Sequence, residues 1–66
     1  MIYGVASREA RHHWPIVAPM IQGVLDKFDP GFTTDSILAS IEEQNHQLWL
    51  IVIDGLIVAA IITEIN

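Results

Sequence analysis

Three histidines, three serines and eight acidic side chains are the groups in this chain that could do chemistry, and their spacing decides how much. His12 and His13 are adjacent. On a helix they would point about 100° apart, a poor way for two imidazoles to share one ion. His46 has no carboxylate at ligand spacing, so all three read as surface histidines and no metal is expected. Ser7, Ser36 and Ser40 fall in helix or helix-cap contexts, and none sits in the G-x-S-x-G turn that exposes a nucleophile. Glu42 and Glu43 are neighbours that diverge on a helix, a solvated helix end before an acid–base pair. Without cysteine, disulfides and thiolate metal sites are excluded. Gly4, Gly23, Gly31 and Gly55 are scattered and form no phosphate-cradling loop. The remaining polar feature is a set of acids at helix ends and loops: Asp26, Asp29, Asp35, Glu42, Glu43 and Asp54. A binding protein is expected, with no catalytic residue and no cofactor.

Charge narrows the partner. Arg8, Arg11 and Lys27 are the only basic side chains, and the net charge is −5. That balance repels phosphate backbones, so direct nucleic-acid binding is not expected. It favours basic partners, including proteins that themselves hold nucleic acid. Acidity also keeps an apolar module in solution, a plainer role for the same residues. At 66 residues and 52% hydrophobic, the chain is one small domain, residues 1–66, near the lower limit for folding alone. The N-terminus lacks the basic start and apolar core of a secretory signal. The apolar stretch from Leu48 to Ile62 is broken by Asp54-Gly55, short of the roughly 18 residues of a membrane span. A cytoplasmic protein is the expectation.

The elements follow from periodicity. Met1 to Val5 suits a short first strand. Trp14, Val17, Ile21, Val24, Leu25 and Phe28 recur at helical spacing and predict an amphipathic helix. Pro15 fits as its first helical residue, and Pro19 predicts a kink or an irregular first turn. Asp29-Pro30-Gly31 should end it. A second helix starts at a Thr33 or Thr34 cap with Asp35 in its first turn. It buries Ile37, Leu38 and Ile41, and breaks at Gln44-Asn45-His46. Gln47 to Ile53 and Leu56 to Ile65 flank Asp54-Gly55, a hairpin turn suited to positive φ. That turn pairs Ile53 with Leu56, Ile51 with Val58 and Trp49 with Ala60. Trp14 and Trp49 are both assigned to the core. The fold class is α+β, a three-stranded antiparallel sheet in the order strand, helix, helix, hairpin, with two helices on one face. The unbroken runs LWLIVI and LIVAAII call for burial on both faces, by a wrapping N-terminal segment or by a partner. The last strand is an uncovered edge.

Trp14-Pro15, the helix through Phe28, Thr34-Asp35-Ser36-Ile37, Gln47-Leu48-Trp49 and Ile61-Ile62-Thr63-Glu64-Ile65 together resemble the N-terminal half of GNAT-type acetyltransferases, especially phage and prophage members. The resemblance implies that acetyl-CoA is held by a following strand and a Gly-rich turn opening the next helix, segments expected beyond Asn66. No catalytic residue carries over, and Glu64 is the one polar position left to line a substrate cleft. The phage character of the resemblance, with size and acidity, leads to a small acidic non-catalytic inhibitor of anti-defence type. It would be an anti-CRISPR-like protein that blocks nucleic-acid binding by a basic complex such as a Cascade-type CRISPR effector. Asp26, Asp29, Asp35, Glu42 and Glu43 would make the contacts, and the chain would be a monomer or an edge-strand homodimer. The alternative is a truncated or split acetyltransferase fragment completed by a partner chain.

Overall fold

The computed structural model describes residues 1–28 and 33–65. β1 (Ile2–Val5) leads through a 3₁₀ turn (Ser7–Glu9) into α1 (Ala10–Phe28), then α2 (Thr34–Glu42), β2 (His46–Ile53) and β3 (Leu56–Glu64). The three strands form one antiparallel sheet in the order β1-β2-β3. This is the α+β arrangement the periodicity predicts. β1 pairs with β2 from Ile2↔Ile51 to Val5↔Leu48, and Met1 extends the ladder through reciprocal bonds with Val52.

α1 contains both prolines rather than starting at Pro15. Each ring deletes the bond to the carbonyl four residues back, so the carbonyls of Arg11 and Pro15 lose their helical donors. Arg11, Pro15 and Pro19 are all exposed, so water can meet those carbonyls while the opposite stripe stays packed. Trp14 and Val17 are buried and Ile21 and Leu25 half-buried, but Val24 is exposed. The expected stop at Asp29-Pro30-Gly31, and the side chain of Phe28, lie outside the described residues.

Thr33 caps α2, its Oγ1 accepting from the Ser36 N–H at 3.1 Å. Leu38 and Ile41 are buried. The helix ends in a Schellman motif: Asn45 N–H donates to Ser40 O and Gln44 N–H to Ile41 O, both at 3.0 Å. Gln44 holds the left-handed position, φ 65°, which glycine adopts without a Cβ clash.

Asp54 and Gly55 form the hairpin turn with φ 52° and 78°. Ile53 faces Leu56 as the turn dictates. Beyond that the ladder departs from the expected register, because a bulge at Ile51/Val52 makes Val58 an extra residue. Ile51 therefore faces Ala59, not Val58, and Trp49 faces Ile61, not Ala60.

The core lies between one sheet face and the helices. Leu48 and Leu50 of β2, Val5 of β1, Ala10, Trp14 and Val17 of α1, and Leu38 and Ile41 of α2 are its buried members. β1 lies flat beside β2 instead of wrapping the second face, so that face stays open.

Three substitutions test this account by urea unfolding. Gln44→Gly should stabilise the fold by about 1 kcal/mol by removing the left-handed penalty. Leu48→Ala should destabilise it by about 3 kcal/mol. Ile61→Thr, on the open face, should stay within about 0.5 kcal/mol. Equal losses at Leu48 and Ile61 would contradict one-sided packing.

Candidate functional site

The open sheet face is built by strand alternation. Val5, Leu48, Leu50, Ala60 and Ile62 point to the helices, so their neighbours Ile2, Gly4, Trp49, Ile51, Ala59 and Ile61 point the other way. Ile2 is 63% exposed, Ile61 44% and Trp49 37%. Trp49 is thus not the core residue its place in an apolar strand suggested. It lies over Gly4, where an added Cβ would come within 3.3 Å of the indole, and its Nε1 donates to Thr63 Oγ1 at 3.0 Å. Cross-strand, it faces Gly4 on one side and Ile61 on the other. The indole is pinned at its polar end and leaves an apolar surface to solvent. Among the described residues no charged side chain belongs to this face.

The expected acidic contacts divide. Asp26, Asp35 and Glu43 are exposed on the helical side, and Asp29 lies outside the described residues. Glu42 is engaged by Arg11, whose Nη2 and Nε donate to its two carboxylate oxygens at 2.8 and 3.1 Å. Hydrogen bonding to Glu42, then its charge, raises the Arg11 pKa, with Asp35 adding to the same effect. A cation therefore sits among the acids, and the acidic face is less continuous than the sequence implied. Asp26 accepts from Gln22 Nε2 at 2.6 Å. Asp54 is in the hairpin turn, remote in sequence position from the helical acids.

His12 and His13 make an edge contact with ring centroids 5.3 Å apart. Among the described residues no three His, Asp or Glu side chains are grouped as metal ligands. Ser40 and His46, unconnected in the sequence reading, meet through a short Oγ···Nδ1 hydrogen bond. A nucleophile–base pair needs a third group to orient the imidazole. Glu64 faces His46 across the ladder without hydrogen-bonding to it. The pair instead fastens the end of α2 to the start of β2, beside the Schellman bonds. Both residues also line an apolar groove of about 450 Å³ between α1, α2 and β3. Trp14 Nε1 is buried without a partner, a cost carried inside the core.

The sequence signal that could have located the open face was the unbroken apolar run itself, which requires two covering layers where the chain's helices supply one. No helix among the described residues is long and apolar enough to cross a membrane.

Tryptophan fluorescence tests the two indole environments. Trp49→Phe should leave emission from Trp14 that is blue-shifted and poorly quenched by acrylamide. Trp14→Phe should leave readily quenched, red-shifted emission. Equal quenching in both folded variants would place Trp49 in the core after all.

No protein-family model, curated protein or solved structure matches the chain.

Proposed function

We propose that this chain is a non-catalytic protein-binding module that acts as one part of a larger sheet, a reading that shares with the acetyltransferase-fragment alternative the need for a partner chain. The observation that carries the reading is the open face: an apolar, uncharged sheet surface centred on Trp49 and bordered by a free strand edge at β3. A sheet apolar on both sides is stable in water when two layers cover it, and α1 and α2 supply one. The fitting occupant is an amphipathic helix of a partner protein, laid across Trp49, Ile51 and Ile61 with its polar side outward. An uncharged receiving face disfavours a partner that brings charge into the contact.

A second reading is supported by a different observation, the exposed acids Asp26, Asp35 and Glu43 on the helical layer of a chain of net charge −5. Here the acidic layer covers lysines and arginines of a nucleic-acid-binding complex such as a CRISPR effector, as an anti-CRISPR-type inhibitor would. It ranks second because Glu42 is already committed to Arg11. Both readings place the chain in the cytoplasm, that of the host cell for the inhibitor.

The two are separated by pull-down of the tagged chain across a salt series, read by mass spectrometry. Completion of the sheet predicts a captured protein retained at high salt, lost with Ile61→Lys and kept with Asp35→Lys/Glu43→Lys. Capture that disappears as salt rises and survives Ile61→Lys overturns this reading in favour of the inhibitor. No specific capture by the wild-type chain overturns both.

A further inference from the structure

The groove on the helical side of the sheet lies between α1, α2 and β3. Its walls are Met20, Ile21, Val24 and Leu25 of α1 and Ser36, Ile37 and Ser40 of α2. Its floor includes Ala60 and Ile62, which belong to β3, the last strand of the sheet. The groove therefore borders a free sheet edge. Met20 and Val24 lie on the groove side of α1, yet Val24 remains 56% exposed despite being aliphatic. Ala60 keeps the floor low, where a larger residue would have filled the space beneath the helix.

The edge is lightly guarded: its one charge, Glu64, is the last residue of β3. From Leu56 to Thr63 it contains no lysine, no proline and no charge. Its one irregularity, the bulge at Val58, lies near the hairpin and leaves Ala59 to Glu64 in regular pairing. Every second residue of that stretch turns its N–H and C=O away from β2.

We infer that the α1–α2 groove and the β3 edge together form a slot for a β-strand of the partner, which hydrogen-bonds to β3 and projects large apolar side chains under α1. The inference rests on the completed-sheet reading and specifies its chemistry. The incoming strand alternates, with bulky aliphatic residues on the groove side. Charged side chains are disfavoured there, because among the described lining residues His46 is the one titratable group and it is already hydrogen-bonded to Ser40. Hydroxyl-bearing residues fit where the strand passes Ser36 and Ser40. The groove and the open face lie on opposite sides of the same sheet, so one partner can use both, a strand at the edge and a helix across the face.

The test uses a synthetic peptide of alternating leucine and threonine with lysines at both ends, titrated into the full isotope-labelled chain. NMR shift changes are expected at the backbone amides of residues 59–63 and at side chains of Met20, Val24 and Ile37. Methylating the peptide's alternate backbone nitrogens on the pairing edge should weaken binding at least about tenfold, the effect of losing one or more hydrogen bonds. Val24→Asp, at an exposed position that leaves the core intact, should weaken it comparably. Shifts confined to Ile2, Trp49 and Ile61 would overturn the strand slot while leaving the open-face reading standing. Binding indifferent to N-methylation, no binding, or a self-dimer through β3 that the peptide cannot displace would also overturn it.

Discussion

Leu48 and Leu50 of the central strand pack beneath Trp14 and Val17 of α1 and Leu38 and Ile41 of α2, and this contact organises the rest of the molecule. It joins the central strand to both helices, with Val5 bringing in the first strand and the partly buried Ile57, Ala60 and Ile62 packing against it from β3. Because side chains alternate along a strand, burying Leu48 and Leu50 on one side commits Trp49 and Ile51 to the other. The helical layer and the open face are therefore consequences of one choice. For so short a chain the burial is modest, since small domains leave much of their surface exposed. Every well-packed residue in this core matters accordingly.

The same contact divides polarity between the two sides. The acids described outside the strands and hairpin, Glu9, Asp26, Asp35, Glu42 and Glu43, all belong to the helical side of the chain. Among the described residues the open face has hydroxyl and amide groups at Thr63 and Gln47 but no charge. Gln47 Nε2 spends its hydrogen bonds on the carbonyls of Val5 and Leu48, closing the end of the β1–β2 ladder. These described acids thus lie on the helical layer, while the opposite sheet face exposes apolar side chains. The edge of β3 and the groove above it adjoin this apolar face at the border of the sheet.

Several local features reconcile strain with this plan. Two prolines persist in α1 because the carbonyls they orphan face water. Gln44 occupies a left-handed position because the chain must reverse sharply for β2 to run back under α2. The hydrogen bonds of the Schellman motif and the Ser40–His46 contact hold that reversal in place. The bulge at Val58 shifts the register so that Ala59 lies opposite Ile51, keeping the small residue on the open face and Ala60 on the groove floor.

The sequence by itself determined what depends on neighbours in the chain. The Thr33 cap, the Asp54-Gly55 turn, the helical stripe at Trp14 and Val17 and the strand runs are local, so the element order and the α+β class were legible. The hairpin register was legible only for the residue pair next to the turn, since a bulge is selected by packing rather than by turn chemistry. The acidic residues could be listed but not grouped, because the Arg11–Glu42 pairing joins residues 31 positions apart. Ser40 and His46 stood in separate elements until the helix reversal brought them together. Trp49 was misassigned for the same reason: an unbroken apolar strand does not say which of its faces will be covered. That decision belongs to the tertiary structure, because two helices on one side of a three-stranded sheet leave the other side to solvent or to another chain.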